Sequence, residues 1–144
     1  GGNTEDSGYW CGLDLLQMAD RPTAIFVCNN LMTLGVLTAL RELEVTCPAD
    51  LSLVGFDDSE WCPYLAPPLT MVRQAASELG AAAAKIILKR VRYPEQNRTE
   101  RVLLPTELIV RKSTAAPSSS PREGRAGFQH AAKSGSPASA LKGF

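Results

Sequence analysis

The sequence predicts an α/β fold built on an open parallel sheet, and three observations carry that reading. Residues 24–28 (Ala-Ile-Phe-Val-Cys) and 51–56 (Leu-Ser-Leu-Val-Gly-Phe) are short apolar runs with the length and continuity of buried strands. A segment of helical periodicity, residues 30–43, lies between them and completes a strand–helix–strand unit. Each run ends in a polar cluster, Asn29-Asn30 after the first and Asp57-Asp58 after the second. Ligands of open α/β sheets sit just outside the carboxyl ends of the strands, so these four side chains stand where a small polar molecule would be held.

The elements follow in order. Residues 4–18 read as a helix, with Thr4, Asp6 and Ser7 offering N-terminal capping and Leu13, Leu16 and Met18 its apolar weight. Arg21-Pro22 ends it, because the residue before proline is pushed out of the helical region. The first strand, 24–28, is expected to be buried on both faces, with Cys28 a small core residue. The helix 30–43 takes Asn30 as its N-cap. Met32, Val36, Ala39, Leu40 and Leu43 share one of its faces, while Leu34 and Leu37 lie opposite, beside Arg41. A surface helix needs only one apolar stripe. The second stripe therefore meets either a subunit partner or neighbouring elements of the same chain.

Residues 45–50, with Pro48, form a turn before the second strand, 51–56. A loop over 59–68 carries Trp61, Tyr64 and two prolines, and a third strand covers 69–73. Trp61 and Tyr64 are read as loop packing rather than a ligand box. Residues 75–92 form a long helix with Ala76, Leu79, Ala83, Ile86 and Ile87 as its stripe, closed by Pro94. Residues 101–104 and 107–111 read as strands joined across Pro105-Thr106. From Ala115 onward Ser, Pro, Gly and Ala dominate, a composition too polar to offset the entropy of ordering. The expected organisation is one partial domain over 1–114 and a disordered tail over 115–144.

Bulk properties exclude several function classes. Lys+Arg and Asp+Glu are both 15, and this balance argues against a basic surface for nucleic acid on this segment. No apolar run spans a bilayer, no signal-peptide pattern opens the chain, and the start Gly1-Gly2-Asn3-Thr4 without Met reads as a fragment. Cys11, Cys28, Cys47 and Cys62 contain no C-x-x-C pair, which fits a reduced, cytoplasmic setting. The one histidine, His130, lies in the polar tail, so no zinc or other metal site and no cofactor is expected.

A series of short motifs lies along the chain. It runs Ser7-Gly8-Tyr9, Arg21-Pro22-Thr23-Ala24-Ile25-Phe26, then Asn29-Asn30-Leu31-Met32 with Leu34-Gly35. It continues through Pro48-Ala49-Asp50-Leu51-Ser52-Leu53-Val54-Gly55-Phe56-Asp57-Asp58, then Pro67-Pro68-Leu69-Thr70 with Gln74 and Leu79-Gly80. Leu104-Pro105, Leu108-Ile109-Val110-Arg111 and Ser113-Thr114 complete it. Their order and spacing resemble the LacI/GalR family of bacterial transcription regulators, over residues 1 to about 115.

The resemblance implies a periplasmic-binding-protein-like (type I) doubly wound core. This chain would supply its C-terminal lobe, with the helix 75–92 belonging to the other lobe. The crossings between lobes would fall near Arg73-Gln74 and Leu104-Pro105. Operator DNA would be read by an N-terminal helix-turn-helix that these residues do not include. Asn29, Asp57 and, less strongly, Gln74 would contact a small effector, a sugar or similar. A carboxylate suits that task because it accepts hydrogen bonds from vicinal hydroxyls, each contributing about 1.5–3 kcal/mol. Leu34, Leu37, Trp61 and Leu65 would lie in a homodimer interface. Two positions depart from the family pattern. Asn30 stands where Asp is more usual, and Gly2-Asn3 replaces an Asp followed by an aromatic, which removes a stacking ring for the ligand.

Two rival readings stand beside this one. A solute-binding component of a sugar ABC transporter shares the fold, but the Val54-Gly55-Phe56-Asp57-Asp58 and Pro67-Pro68-Leu69-Thr70 motifs favour the regulator. An enzyme would need a nucleophile–base pair, a phosphate loop or a metal cluster, and the chain offers none of these motifs. Asp57-Asp58 is read as a ligand clamp with a solvated or capping neighbour rather than an acid–base pair. Asn97-Arg98-Thr99 fits a glycosylation sequon, which has no meaning without export.

Overall fold

A computed structural model describes residues 2–96 and 99–117. Helix α1 spans Glu5–Leu16. Its start is closed by a reciprocal box: the Ser7 amide donates to Thr4 Oγ1 at 3.2 Å, and the Thr4 amide donates to the Ser7 hydroxyl at 3.1 Å. Strand β1 spans Ala24–Val27, helix α2 Asn30–Glu42, strand β2 Ser52–Phe56 and strand β3 Thr70–Gln74. Helix α3 spans Ala76–Arg92 and strand β4 Thr106–Ile109. A short 3-10 turn, Cys62–Tyr64, sits in the loop before β3.

The sheet order is β1-β2-β3-β4. The first three strands are parallel, with Val27 opposite Gly55 and Phe56 opposite Val72. Their carboxyl ends therefore share one edge, which brings the segments after β1, β2 and β3 together. β4 runs antiparallel to β3, with Gln74 opposite Thr106, so the sheet is mixed rather than wholly parallel. That register sets the chain's exit into α3 beside its return into β4.

The core gathers Leu13 and Leu16 of α1, Ile25 and Val27 of β1, Val36, Ala39 and Leu40 of α2, and Leu51, Leu53, Leu69 and Met71 around β2 and β3. The two helices touch through glycine. A Cβ on Gly35 would fall 2.1 Å from the Glu5 carbonyl oxygen, and one on Gly8 would fall 2.3 Å from the Met32 carbonyl oxygen. Only a residue without a side chain permits backbones this close.

Residues 111–115 fasten the other end of the sheet. The buried Ser113 hydroxyl donates to the Leu53 carbonyl at 2.6 Å and accepts the Thr70 amide at 2.7 Å, bridging β2 and β3 where they diverge. The Leu53 amide donates to the Ser113 carbonyl at 2.8 Å.

Several expectations are corrected. β1 is not buried on both faces: Ala24 and Phe26 point away from the core, and Phe26 is 56% exposed. The reason is alternation, since among the described residues helices α1 and α2 cover only the face that Ile25 and Val27 present. Cys28 lies past the strand and is exposed, so it is not a core residue. The N-cap of α2 is Asn29, not Asn30; its Oδ1 accepts the Met32 amide at 2.8 Å. Residues 101–104 form no strand, and β4 begins only at Thr106. The expected disordered tail lies outside the described residues from 118 on, as do His130 and two of the three sequon positions.

The stripe of α3 forms its helix but packs on nothing described. No residue of α3 is buried, and Leu79, Ile87, Leu88 and Val91 are all exposed. Among the described residues, no helix is long and apolar enough to cross a membrane, and no cluster of His, Cys, Asp and Glu has the makings of a metal site.

Candidate functional site

At the shared carboxyl edge of β1, β2 and β3 lies a cleft of about 250 Å³ lined by Asn30, Asp57, Asp58, Arg73, Gln74 and Ala76. Two neighbouring pairs build its floor, Asp57-Asp58 after β2 and Arg73-Gln74 at the end of β3. They cross-link diagonally, one step off the register that pairs Phe56 with Val72. Gln74 Nε2 donates to Asp57 Oδ1, and Arg73 Nε and Nη2 donate to Asp58 Oδ2 at 3.1 and 2.6 Å.

Asp57 has φ 74°, in the left-handed region that a residue with a side chain adopts only at a cost. Its own amide donates to the Val72 carbonyl at 2.9 Å, which holds the turn. The turn carries the Asp57 carboxylate off the end of β2 and over the cleft. Its neighbour has the opposite fate. The Asp58 side chain is 3% exposed and receives Arg111 as well, Nη1 on Oδ1 at 2.7 Å and Nη2 on Oδ2 at 2.9 Å. Hydrogen bonding from the Arg111 guanidinium, reinforced by Arg73, holds the Asp58 carboxyl below the usual carboxylate range against the effect of burial. Asp58 is thus neither solvated nor a cap, contrary to the sequence expectation; it is the buried hub of an ion cluster. Arg111 also donates to the Leu69 carbonyl at 2.7 Å, and Arg73 reaches Glu107 at 3.7 Å.

The predicted site residues divide. Asp57 and Gln74 meet in the cleft. Asn29 stands at the same edge, but its oxygen is committed to capping α2, and Asn30 rather than Asn29 lines the cleft. Asn30 Nδ2 donates to Ser59 Oγ at 2.6 Å, while its Oδ1 is buried without a partner. Leu34, Leu37, Trp61 and Leu65 are all half-buried, and Leu37, Trp61 and Leu65 pack against this chain's own core. Trp61 is thus packing, as expected, whereas Tyr64 is 88% exposed.

Sequence reasoning missed Arg73, Arg111 and Ser59. The available signal was the complementarity of Asp57-Asp58 and Arg73-Gln74 at the ends of adjacent strands, which sets a base within reach of the acids. Arg111 carried no such signal, because only the antiparallel return of β4 brings it under Asp58. Burial pushes the Cys47 and Cys62 thiols up, which favours their protonated, unreactive form.

Known proteins are similar to this chain in sequence and fold. A model of the periplasmic binding protein-like domain matches residues 2–114. The HTH-type transcriptional repressor PurR of Mannheimia succiniciproducens is 37% identical over 108 residues, covering 75% of this chain and 32% of that protein. The ribose operon repressor of Haemophilus influenzae is 38% identical over 99 residues, covering 69% of this chain and 30% of the repressor. Among solved structures, a LacI family transcriptional regulator from Enterococcus faecium with bound ribose superposes with TM-score 0.67 at 34% identity, over 78% of this chain and 41% of that one. The lac repressor dimer bound to operator and the anti-inducer ONPF superposes with TM-score 0.69 at 34% identity, over 81% and 40%. The chain spans about a third of the length of the curated relatives it matches.

Proposed function

The chain belongs to the periplasmic binding protein-like domain family, as part of the effector-binding core of a LacI/GalR-type regulator, and we propose that it senses a small polar molecule and pairs two copies of that regulator. The observation that carries the proposal is the Asp57–Gln74 pair, held over the strand-end cleft by a turn with positive φ. A strained conformation at a polar strand end is how chains present a side chain to a ligand rather than to their own core. The effector would be a sugar or similar molecule, gripped by Asp57 and Gln74 with Asn29 at the same edge.

Effector control of operator affinity follows from two-state thermodynamics. The molecule shifts DNA binding only by its differential affinity for the two lobe arrangements. The nearness of the β3 exit to the β4 entry supports this reading, because the cleft then lies where the chain crosses between lobes. Repressor relatives support operator DNA as the partner, through a segment outside these residues, and a cytoplasmic site of action. Leu34, Leu37, Trp61 and Leu65 are the residues proposed for the homodimer contact. The transporter reading has no observation of its own in the cleft.

Replacing Asp57 with Ala in the intact protein tests the proposal. With about 1.5–3 kcal/mol for each hydrogen bond to a carboxylate, effector affinity is expected to fall at least about tenfold with the fold retained. Calorimetry showing unchanged affinity would sink it.

A further inference from the structure

We infer that this cleft selects a donor-rich ligand that is uncharged or cationic, and discriminates against the phosphorylated or carboxylated forms of the same molecule. The inference rests on the effector-binding reading above and adds the chemical class of the ligand. Most side-chain donors that line the cleft are engaged within the chain, although Asn29 Nδ2 at the same edge makes no hydrogen bond among the described residues. Gln74 Nε2 donates to Asp57, and Asn30 Nδ2 donates to Ser59 Oγ at 2.6 Å. Arg73 and Arg111 each direct two N–H groups at Asp58.

The larger share of what remains over is acceptors. Among the described residues, nothing donates to Asp57 Oδ2 or Gln74 Oε1. Asn30 Oδ1 is buried and unpartnered, an unmet acceptor that an incoming hydroxyl or amine would satisfy. Ser59 holds that amide in place, since its hydroxyl takes the NH2 side and leaves the oxygen side vacant.

Charge points the same way. Around the cleft stand three carboxylates, Asp57, Asp58 and Glu107, and two guanidiniums, Arg73 and Arg111. Both guanidiniums face Asp58, and Arg73 extends to Glu107 at 3.7 Å, so their charge is spent within the chain. Asp57 is left as the uncompensated charge over the cleft, and it repels an anion. The opposing influence is the first turn of α3, where Ala75 supplies no capping side chain beside Gln74. Glu78 already stands in that turn and weakens its pull on a second negative group.

Calorimetric titration of the intact protein with matched probes tests the inference: D-ribose against D-ribose 5-phosphate, D-glucose against D-glucose 6-phosphate and D-gluconate, and D-galactose against D-galactonate. At least one neutral sugar is expected to bind about tenfold or more tightly than its charged partner. Asp57→Asn removes the repelling charge and is expected to shrink that ratio about threefold or more, whereas a merely structural loss would lower both affinities together. A charged partner that binds as tightly as the neutral sugar, or a ratio untouched by Asp57→Asn, overturns the inference and leaves the effector-binding reading standing. No binding of any probe at millimolar concentration overturns both.

Discussion

At Asp58 the carboxylate takes four guanidinium N–H bonds, from Arg73 and Arg111, and is shielded from water. Such a cluster contributes because breaking it is costly: removing one partner of a buried pair leaves charge without compensation, at about 3–5 kcal/mol. Arg73 is half exposed and keeps Glu107, so Asp58→Asn is expected to cost about 3 kcal/mol, read as a lowered urea midpoint at pH 7. A change under about 0.5 kcal/mol would count against the hub. The pH dependence has a definite sign. The folded-state pKa of Asp58 is depressed, so its contribution is fully present above the unfolded value of about 3.9 and is lost as pH falls through the folded pKa. The native chain is expected to lose stability steeply below about pH 4, and Asp58→Asn less steeply over the same window. Adjacent carboxylates were legible in the sequence as a site. Their division into one presented and one buried residue was not, since it depends on the turn at Asp57 and on Arg111, which arrives 53 residues later.

Helices α1 and α2 are a pair before they are parts of a sheet layer. Their contact passes through Gly8 and Gly35, where any Cβ would sit inside the facing helix backbone. Gly35→Ala gains helix propensity locally, yet it must push the helices apart, and overpacking of this kind costs about 1–3 kcal/mol. A melting temperature unchanged or raised by the substitution would show that the interface yields freely. This packing also answers the two-sided pattern of α2: Val36, Ala39 and Leu40 are buried in the core, and Leu37 packs against it as well. Leu34 is half-buried and stands outside that cluster, so it is the sharper probe of a partner contact. Leu34→Lys is expected to weaken dimerisation of the intact protein, and sedimentation showing an unchanged dimer at sub-micromolar concentration would refute the contact. The error at the α2 cap has a simple origin. Asn29 and Asn30 are chemically equal as caps, and which one serves depends on where the chain leaves β1.

Across the whole molecule, apolar surface is unevenly covered. One face of the sheet carries α1 and α2, while Phe26 and Leu108 stay exposed along with Leu79, Ile87, Leu88 and Val91 of α3. A helix with a strong apolar stripe and no buried residue is built to meet something further, and the family's second lobe is the proposed neighbour. With Lys+Arg and Asp+Glu balanced at 15 each, these 144 residues are expected not to shift a defined operator at physiological salt. A specific gel shift by the isolated chain would contradict that.

The sequence by itself determined the strand–helix–strand order, the edge at which polar groups gather, and the family. The first two follow from apolar periodicity and from chain polarity in parallel strands, and the family from its resemblance in the order and spacing of short motifs, all of which are read along the chain. Tertiary structure alone decided that Asn29 caps while Asn30 lines the cleft, that Asp58 is buried under Arg111, that two glycines join α1 to α2, and that residues 101–104 stay out of the sheet. Each of these depends on groups distant in sequence meeting at ångström separations, and no window of neighbouring residues encodes that geometry.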